Sequence, residues 1–243
     1  MLPRGLALAW TALLDLVYPP ACVVCGTDSA GGVCAGCRGQ LVPRAEPRCP
    51  RCAGRLGAQP PRPEGCAFCG HVRFSFDAVF TLGQDEGALR IAIRRIKRAG
   101  HEPLALALGD LLVEQVGPLL AEWRPDLVVP VPMHWLRRLL RGVNGPELVA
   151  ERLAQRLGLD YEARVVRRPR YSRPQGSLPP GERRKNVRRA LALGKGYDVR
   201  GMRVLLVDDI MTTGTTVNTA ARLLKRAGAA TVAVVVLARA QGG

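Results

Sequence analysis

VLLVDDIMTTGTT, residues 204–216, is the stretch whose reading decides the fold. Four consecutive apolar residues read as a buried strand, and that strand delivers Asp208 and Asp209 to its carboxyl end, where open α/β sheets bind their ligands. Thr212, Thr213, Gly214, Thr215 and Thr216 then offer backbone N–H groups and hydroxyls at the start of a helix, with a glycine that lets an anion approach closely. Such a loop is a phosphate cradle. It lacks the glycine-lysine-serine/threonine ending of a Walker loop and the Gly-x-Gly-x-x-Gly spacing of a dinucleotide fingerprint. Two adjacent carboxylates would repel a bare phosphate, but they suit sugar hydroxyls lying beside one, because ionised carboxylates only accept hydrogen bonds. A solvated turn after a strand is the alternative for Asp208 and Asp209, and it leaves the cradle that follows at once without a reason.

Outward from this stretch, the pattern predicts a βαβ unit: a strand over 203–209, a helix over 215–227 ended by Gly228, and the strand ATVAVVVLAR over 230–239. Upstream, FDAVFTLG (76–83) reads as a strand and 85–99 as a helix burying Leu89, Ile93 and Ile96. A further helix follows over 103–121, then a buried strand over 126–132, a helix over 146–157 and a strand near Val165. A mostly parallel sheet with helices on both faces, an α/β fold, is the expected architecture.

Residues 1–73 have a different character. All eight cysteines of the 243-residue chain lie there, in four Cys-x-x-Cys pairs: Cys22/Cys25, Cys34/Cys37, Cys49/Cys52 and Cys66/Cys69. Two residues between thiols let one turn aim both sulfurs at a single tetrahedral ion. Two structural zinc sites follow. Sequential pairing, Cys22, Cys25, Cys34 and Cys37 on one ion and Cys49, Cys52, Cys66 and Cys69 on the other, closes the shortest loops; interleaved pairing is the alternative. Disulfides or a redox pair would need an oxidising compartment or a single pair on a βαβ unit. The expected organisation is therefore a short helix plus a double zinc-ribbon module over 1–73 and an α/β domain over 74–243.

The first eighteen residues are apolar, but Asp15 interrupts them, no small-x-small cleavage site follows, and the run is shorter than the roughly 20 residues a membrane span needs. They read as a short helix sharing Leu6, Leu13, Leu14 and Val17 on one face, with no membrane span, and the expected compartment is the cytoplasm. The formal net charge is +16, of which residues 1–73 carry +4, leaving +12 for 74–243. Two tetrathiolate zinc sites would make the first module formally neutral and leave the excess in the second. Charge of that size attracts nucleic acid or polyphosphate. Arg90, Arg94, Lys97 and Arg98 recur at helical spacing, the pattern of a solvated face. Arg137, Arg138, Arg141, Arg167, Arg168, Arg170, Arg173, Arg183, Arg184, Lys185, Arg188 and Arg189 lie in or near loops that would surround a diphosphate. His101 and His134 carry no assigned role, and aromatics for base stacking are scarce, with Trp135 and Tyr171 nearest.

The stretch at 204–216 resembles the phosphoribosyl pyrophosphate signature of type I phosphoribosyltransferases. With PVPMH at 130–134, RGVN at 141–144, the series Gln175, Leu178, Arg183 and Asn186, and cysteine pairs after Tyr18-Pro19-Pro20, nearly the whole chain resembles the ComF (competence protein F, GntX-like) family. That resemblance implies a type I phosphoribosyltransferase-like sheet preceded by a zinc ribbon. It further implies that Asp208 and Asp209 hold the ribose hydroxyls, that Thr212, Thr213, Gly214, Thr215 and Thr216 hold the 5-phosphate, and that Met211 lies with them in the substrate-binding set. Val131, Pro132 and Met133, after Pro130, would line the pyrophosphate, and 172–186 would close over it as a mobile loop. Arg183 and Mg²⁺ would stabilise the departing pyrophosphate while phosphoribosyl is transferred. The alternative implied function is a non-catalytic competence factor that binds single-stranded DNA and competence-machinery proteins, with phosphoribosyl pyrophosphate as a regulatory ligand or none. Two positions depart from the family pattern: Asp85-Glu86-Gly87 stands where Tyr-x-Gly is usual, and Gly145 where Gln commonly follows the Asn.

Overall fold

The computed structural model describes residues 19–30, 32–42, 46–57, 60, 65–133, 145–168 and 191–240. The expected short helix over the first eighteen residues lies outside them, as do 172–186 with Arg183, and also His134, Trp135 and Tyr171.

Two apolar runs form the centre of the molecule. β6 (Arg203–Met211) and β7 (Thr231–Arg239) pair in parallel along their whole lengths, from Arg203 opposite Thr231 to Met211 opposite Arg239. β1 (Ala78–Gln84) pairs with the outer edge of β7, β2 (Leu127–Pro130) with β6, and β3 (Asp160–Tyr161) with β2, giving a five-stranded parallel sheet in the order β1-β7-β6-β2-β3. Side chains alternate between the two faces, as a pleated strand requires. Val204 and Leu206 of β6 and Val232, Val234 and Val236 of β7 point to one core. Leu205, Val207, Ala233, Val235 and Leu237 point to the other.

The second of these cores is closed by α2 (Gly87–Arg95), α3 (Glu102–Trp123) and α4 (Gly145–Leu157), with Leu41 of the short α1 (Ala35–Leu41) buried at its margin. By length and composition α3 could cross a membrane, but here Leu104, Leu108, Leu112, Val116 and Leu120 are buried against the sheet and its neighbours. The first core is closed by α5 (Thr215–Arg226) and, beside it, by Cys49, Cys52, Ala53, Leu56 and Cys69. The second cysteine cluster thus shares a hydrophobic core with the sheet. It also covers the sheet's open edge: Arg48 donates to the carbonyl oxygens of Thr81 (2.8 Å) and Leu82 (3.4 Å) on β1.

The predicted elements appear with small shifts at their ends, the strand near Val165 among them, but that strand lies outside the main sheet. Val166–Arg167 (β4) instead pairs antiparallel with Ala192–Leu193 (β5) in a separate two-stranded ribbon, and the edge of the main sheet is the two-residue β3. Gly145 has a packing reason. The first turn of α4 lies so close to the end of α2 that a Cβ at 145 would overlap the carbonyl oxygen of Ile96, so no larger side chain fits.

Leu205 is fully buried, whereas Leu106 keeps 38% of its surface exposed. Leu205→Ala is expected to lower the unfolding free energy by about 2–5 kcal/mol, and Leu106→Ala by no more than about 0.5 kcal/mol. Urea titration of the zinc-loaded protein reads both; equal losses would contradict this assignment of the core.

Candidate functional site

β6 outruns its neighbour. β2 ends at Pro130 opposite Val207, and Asp208 and Asp209 lie on the extension beyond it. The chain leaves β2 toward β3 on one side and leaves β6 toward β7 on the other, so the crevice between β2 and β6 is the switch point where open α/β sheets bind ligands. The Val131 amide donates to the Val207 carbonyl at 2.8 Å, so the 131–133 turn begins alongside Asp208. The sequence-predicted residues Val131, Pro132 and Met133 are thereby brought to the carboxylate pair, with Val131 buried and the other two half-buried.

Both carboxylates are partly satisfied by backbone. Asp208 Oδ1 accepts from the Asp209 amide (2.9 Å), and Asp209 Oδ1 from the Ile210 amide (2.7 Å). Asp209 also pairs with Lys97 Nζ at 2.6 Å, both side chains being largely shielded from solvent. Burial pushes the Asp208 carboxyl well above the ordinary carboxylate range; the neighbouring Asp209 charge adds to this, and the Asp209 amide and Lys97 oppose it.

The loop after Met211 turns into α5 at Gly214, whose φ of +74° is the left-handed region that favours glycine. A Cβ there would also stand 3.2 Å from Met211 Cε and 3.4 Å from the Phe74 ring. Thr213 and Thr215 share a hydroxyl hydrogen bond of 2.8 Å, and Thr213 Oγ1 also accepts a long bond from the Thr215 amide (3.4 Å); Gly214 at the N-cap has no side chain, so among the described residues the next amides of the first turn of α5 have no side-chain acceptor. The uncapped N–H groups and the positive end of the helix dipole suit an anion. A cavity of about 160 Å³ opens on the ribbon side of this loop, between Val72, Phe74, Thr213, Thr215, Asn218 and Arg222.

Each cysteine cluster brings its four Sγ atoms within 4.8 Å of one another, in the sequential pairing. Nearest sulfur separations of 3.7–3.8 Å match the edge of a tetrahedron with Zn–S near 2.3 Å, about 3.8 Å. The donors therefore fit two structural zinc ions, with all four positions of each taken by protein. The thiols differ in how readily they release the proton a cation displaces. Cys22 is lowered to about 6: burial opposes ionisation, but the backbone amides of Cys34, Cys25 and Val24 outweigh it. Cys37 is pushed up to about 12 by its hydrogen bonding with Cys25 and by burial. In the second cluster Cys49 falls to about 7, the amides of Arg51 and Cys52 outweighing burial, and burial pushes Cys52 up.

Two residues of the site were missed in the sequence. Lys97 was grouped with a solvated arginine face, yet it sits next to the buried Ile96 and reaches Asp209. Arg239 closes an otherwise apolar strand, which is the only signal it gives; it is fully buried and holds the carbonyls of Cys52, Met211 and Thr212.

A carboxylate pair at the switch point, a phosphate loop leading into a helix, and two four-cysteine knuckles define a phosphoribosyltransferase-type domain with a double zinc ribbon at its amino terminus. The phosphoribosyl transferase domain family matches residues 144–243 and the double zinc ribbon domain family residues 13–73. The chain belongs to the ComF/YhgH family. It is 31% identical over 232 residues to the DNA utilization protein YhgH of Salmonella typhimurium, covering 92% of this chain and 99% of that one. It is 29% identical over 213 residues to competence protein F of Haemophilus influenzae, covering 86% and 91%. Among solved structures, adenine phosphoribosyltransferase from Thermoanaerobacter pseudethanolicus is similar at 20% identity and a TM-score of 0.38, over 62% of this chain and 74% of that one.

Elemental analysis is expected to find about two zinc ions per chain, and Cys22→Ser or Cys66→Ser, dialysed against a chelator, to keep about one. Loss of both ions from either single variant would contradict two separate clusters. A second outcome concerns Asp208. A carboxyl whose folded-state pKa is raised contributes stability below its unfolded pKa and loses it as pH rises through the folded value. The melting temperature of the wild type should therefore fall relative to that of Asp208→Asn as pH is raised above the ordinary carboxylate range. Parallel melting curves across that range would remove the burial penalty from Asp208.

Proposed function

We propose that the chain binds 5-phosphoribosyl pyrophosphate in the crevice between β2 and β6 and transfers its phosphoribosyl group with release of pyrophosphate. The observation that carries this reading is the continuity of three parts: the Asp208–Asp209 pair beyond the end of β2, the loop turned by Gly214, and the uncapped start of α5. Asp208 and Asp209 accept hydrogen bonds from the ribose hydroxyls, Asp209 exchanging its Lys97 partner for them. The amides of 212–216 and the hydroxyls of Thr213 and Thr215 hold the 5-phosphate. The 131–133 turn lies beside the leaving group, and Lys97, once released, supplies a positive charge there. Cleavage at the anomeric carbon develops oxocarbenium character on the sugar and negative charge on the departing pyrophosphate. Mg²⁺ bound to the diphosphate would neutralise part of that charge. Arg183, outside the described residues, is proposed for the same task on the strength of the family resemblance.

Asp208→Asn combined with Asp209→Asn is expected to abolish calorimetric binding of Mg²⁺–phosphoribosyl pyrophosphate while the protein stays folded. Retained binding by the double variant would sink the site assignment. Pyrophosphate release across a panel of bases and amines tests turnover. There Arg183→Ala should be slower by about 10²-fold or more, the scale of losing one preorganised charge donor.

A second reading has its own observation. On α2, Arg94 is exposed beside Ile91, which is 60% exposed; Arg98 is exposed in the turn just past the end of the helix, and Arg90 pairs with Asp85 at 3.5 Å. Relatives bear the names DNA utilization protein and competence protein F. We propose that this face binds single-stranded DNA, with partners in the competence machinery. Arg90→Ala, Arg94→Ala and Arg98→Ala together should weaken binding alike for all sequences and flatten its salt dependence by up to about three units of slope. Unchanged affinity would return α2 to a solvated face. We further place the protein in the cytoplasm, a proposal supported by eight unpaired cysteines gathered into two metal-type clusters, which suit a reducing compartment.

A further inference from the structure

We propose that Arg239 is a positioning residue through which the second zinc cluster holds the phosphate loop in its binding shape; the ligand arm of the argument rests on the function proposed above. Arg239 ends β7 and has no exposed surface. Its Nε donates to the carbonyl of Cys52, a ligand of the second cluster, at 2.9 Å. Its Nη1 donates to the carbonyls of Met211 (2.8 Å) and Thr212 (2.5 Å) and also to that of Ala240. The guanidinium carbon lies 4.7 Å from the centre of the Phe68 ring, between Cys66 and Cys69 in the same knuckle. One planar fork thus grips a zinc-binding turn on one side and the first two residues of the phosphate loop on the other.

Charge gives this contact its direction. A buried guanidinium needs compensation, and an unpaired buried cation is costly. Among the described residues the acceptors of Arg239 are neutral carbonyls, while the adjoining cluster is the natural counter-charge: four thiolates around one divalent ion carry a net −2. When zinc leaves, the Cys52 carbonyl and the Phe68 ring lose the fold that aims them at the guanidinium. Arg239 then no longer fixes Met211 and Thr212. The contact between the segment after the knuckle and α5, where the Ser75 amide donates to Asn218 Oδ1 at 2.6 Å, runs in the same direction. Zinc occupancy and phosphate-loop order are thereby linked, and such linkage is reciprocal.

The test uses the full zinc-loaded chain, Arg239→Met and Cys66→Ser, with zinc content measured in every sample. Hydrogen exchange of peptides spanning 208–220 is expected to be faster by about tenfold in both variants and no faster in the double variant, the non-additivity of one shared contact. Should Arg239→Met not fold, Arg239→Lys, which keeps the charge but not the fork, is read in the same way. In the wild type, saturating Mg²⁺–phosphoribosyl pyrophosphate should raise the zinc affinity of the second cluster by about tenfold in competition with a zinc-selective chelator, and in the arginine variant it should not. Unchanged exchange at 208–220 in Cys66→Ser that has lost one zinc overturns the coupling. Failure of the wild type to bind phosphoribosyl pyrophosphate at all overturns the proposed function instead, and leaves the exchange experiment to decide the coupling.

Discussion

A parallel sheet has apolar side chains on both faces, and both must be covered. In this chain that requirement organises everything else. Three helices, α2, α3 and α4, cover one face, but on the other, among the described residues, α5 is joined by the second cysteine knuckle rather than by a further helix. Cys49, Cys52, Ala53, Leu56 and Cys69 do the work of a helix there, burying the alternate valines of β6 and β7. A segment so rich in proline, glycine and arginine has little apolar surface with which to fold, so a bound metal is the natural source of the missing free energy. The knuckle also satisfies the open edge of β1 through Arg48, which blunts a strand edge that would otherwise be free to pair with another chain.

The polar groups of the site are arranged on this apolar frame at the one edge where strands end unevenly. β6 continues past β2, so Asp208 and Asp209 lose the strand on that side while β7 still runs alongside on the other. Two adjacent carboxylates there destabilise each other, and among the described residues Lys97 and two backbone amides offset the repulsion. Keeping such a pair costs stability, as strained or charged functional sites often do. Under the function proposed above, a ligand bringing hydroxyl donors would relieve the same repulsion and take the place of Lys97 on Asp209.

Much of this was legible in the sequence, for identifiable reasons. The strands at 203–211 and 231–239 have long apolar runs, and the loop between Asp209 and Thr216 has residue types that few other structures require. The four cysteine pairs pointed to metal sites and, through loop length, favoured the sequential grouping over the interleaved one; the two clusters show the sequential grouping. What the sequence did not show depends on contacts far apart in the chain. Arg239 reads as the polar end of a strand until the register places it opposite Met211 and the knuckle places Cys52 against it. Lys97 follows the buried Ile96 in the turn after a helix full of arginines, and only the close approach of that turn to β6 separates it from them. The β-run near Val165 was too short to tell a main-sheet edge from a separate ribbon, and Gly145 looked like a lost Gln until its packing against Ile96 was seen.

The central claim is that residues 208–216 form the phosphoribosyl site. Amide NMR of the zinc-loaded, ¹⁵N-labelled protein, titrated with Mg²⁺–phosphoribosyl pyrophosphate, tests it most directly. The account predicts saturable shifts concentrated in Thr212, Thr213, Gly214, Thr215 and Thr216, with companion shifts at Asp208, Asp209 and Lys97. Saturable binding that leaves these resonances in place and moves others would contradict it.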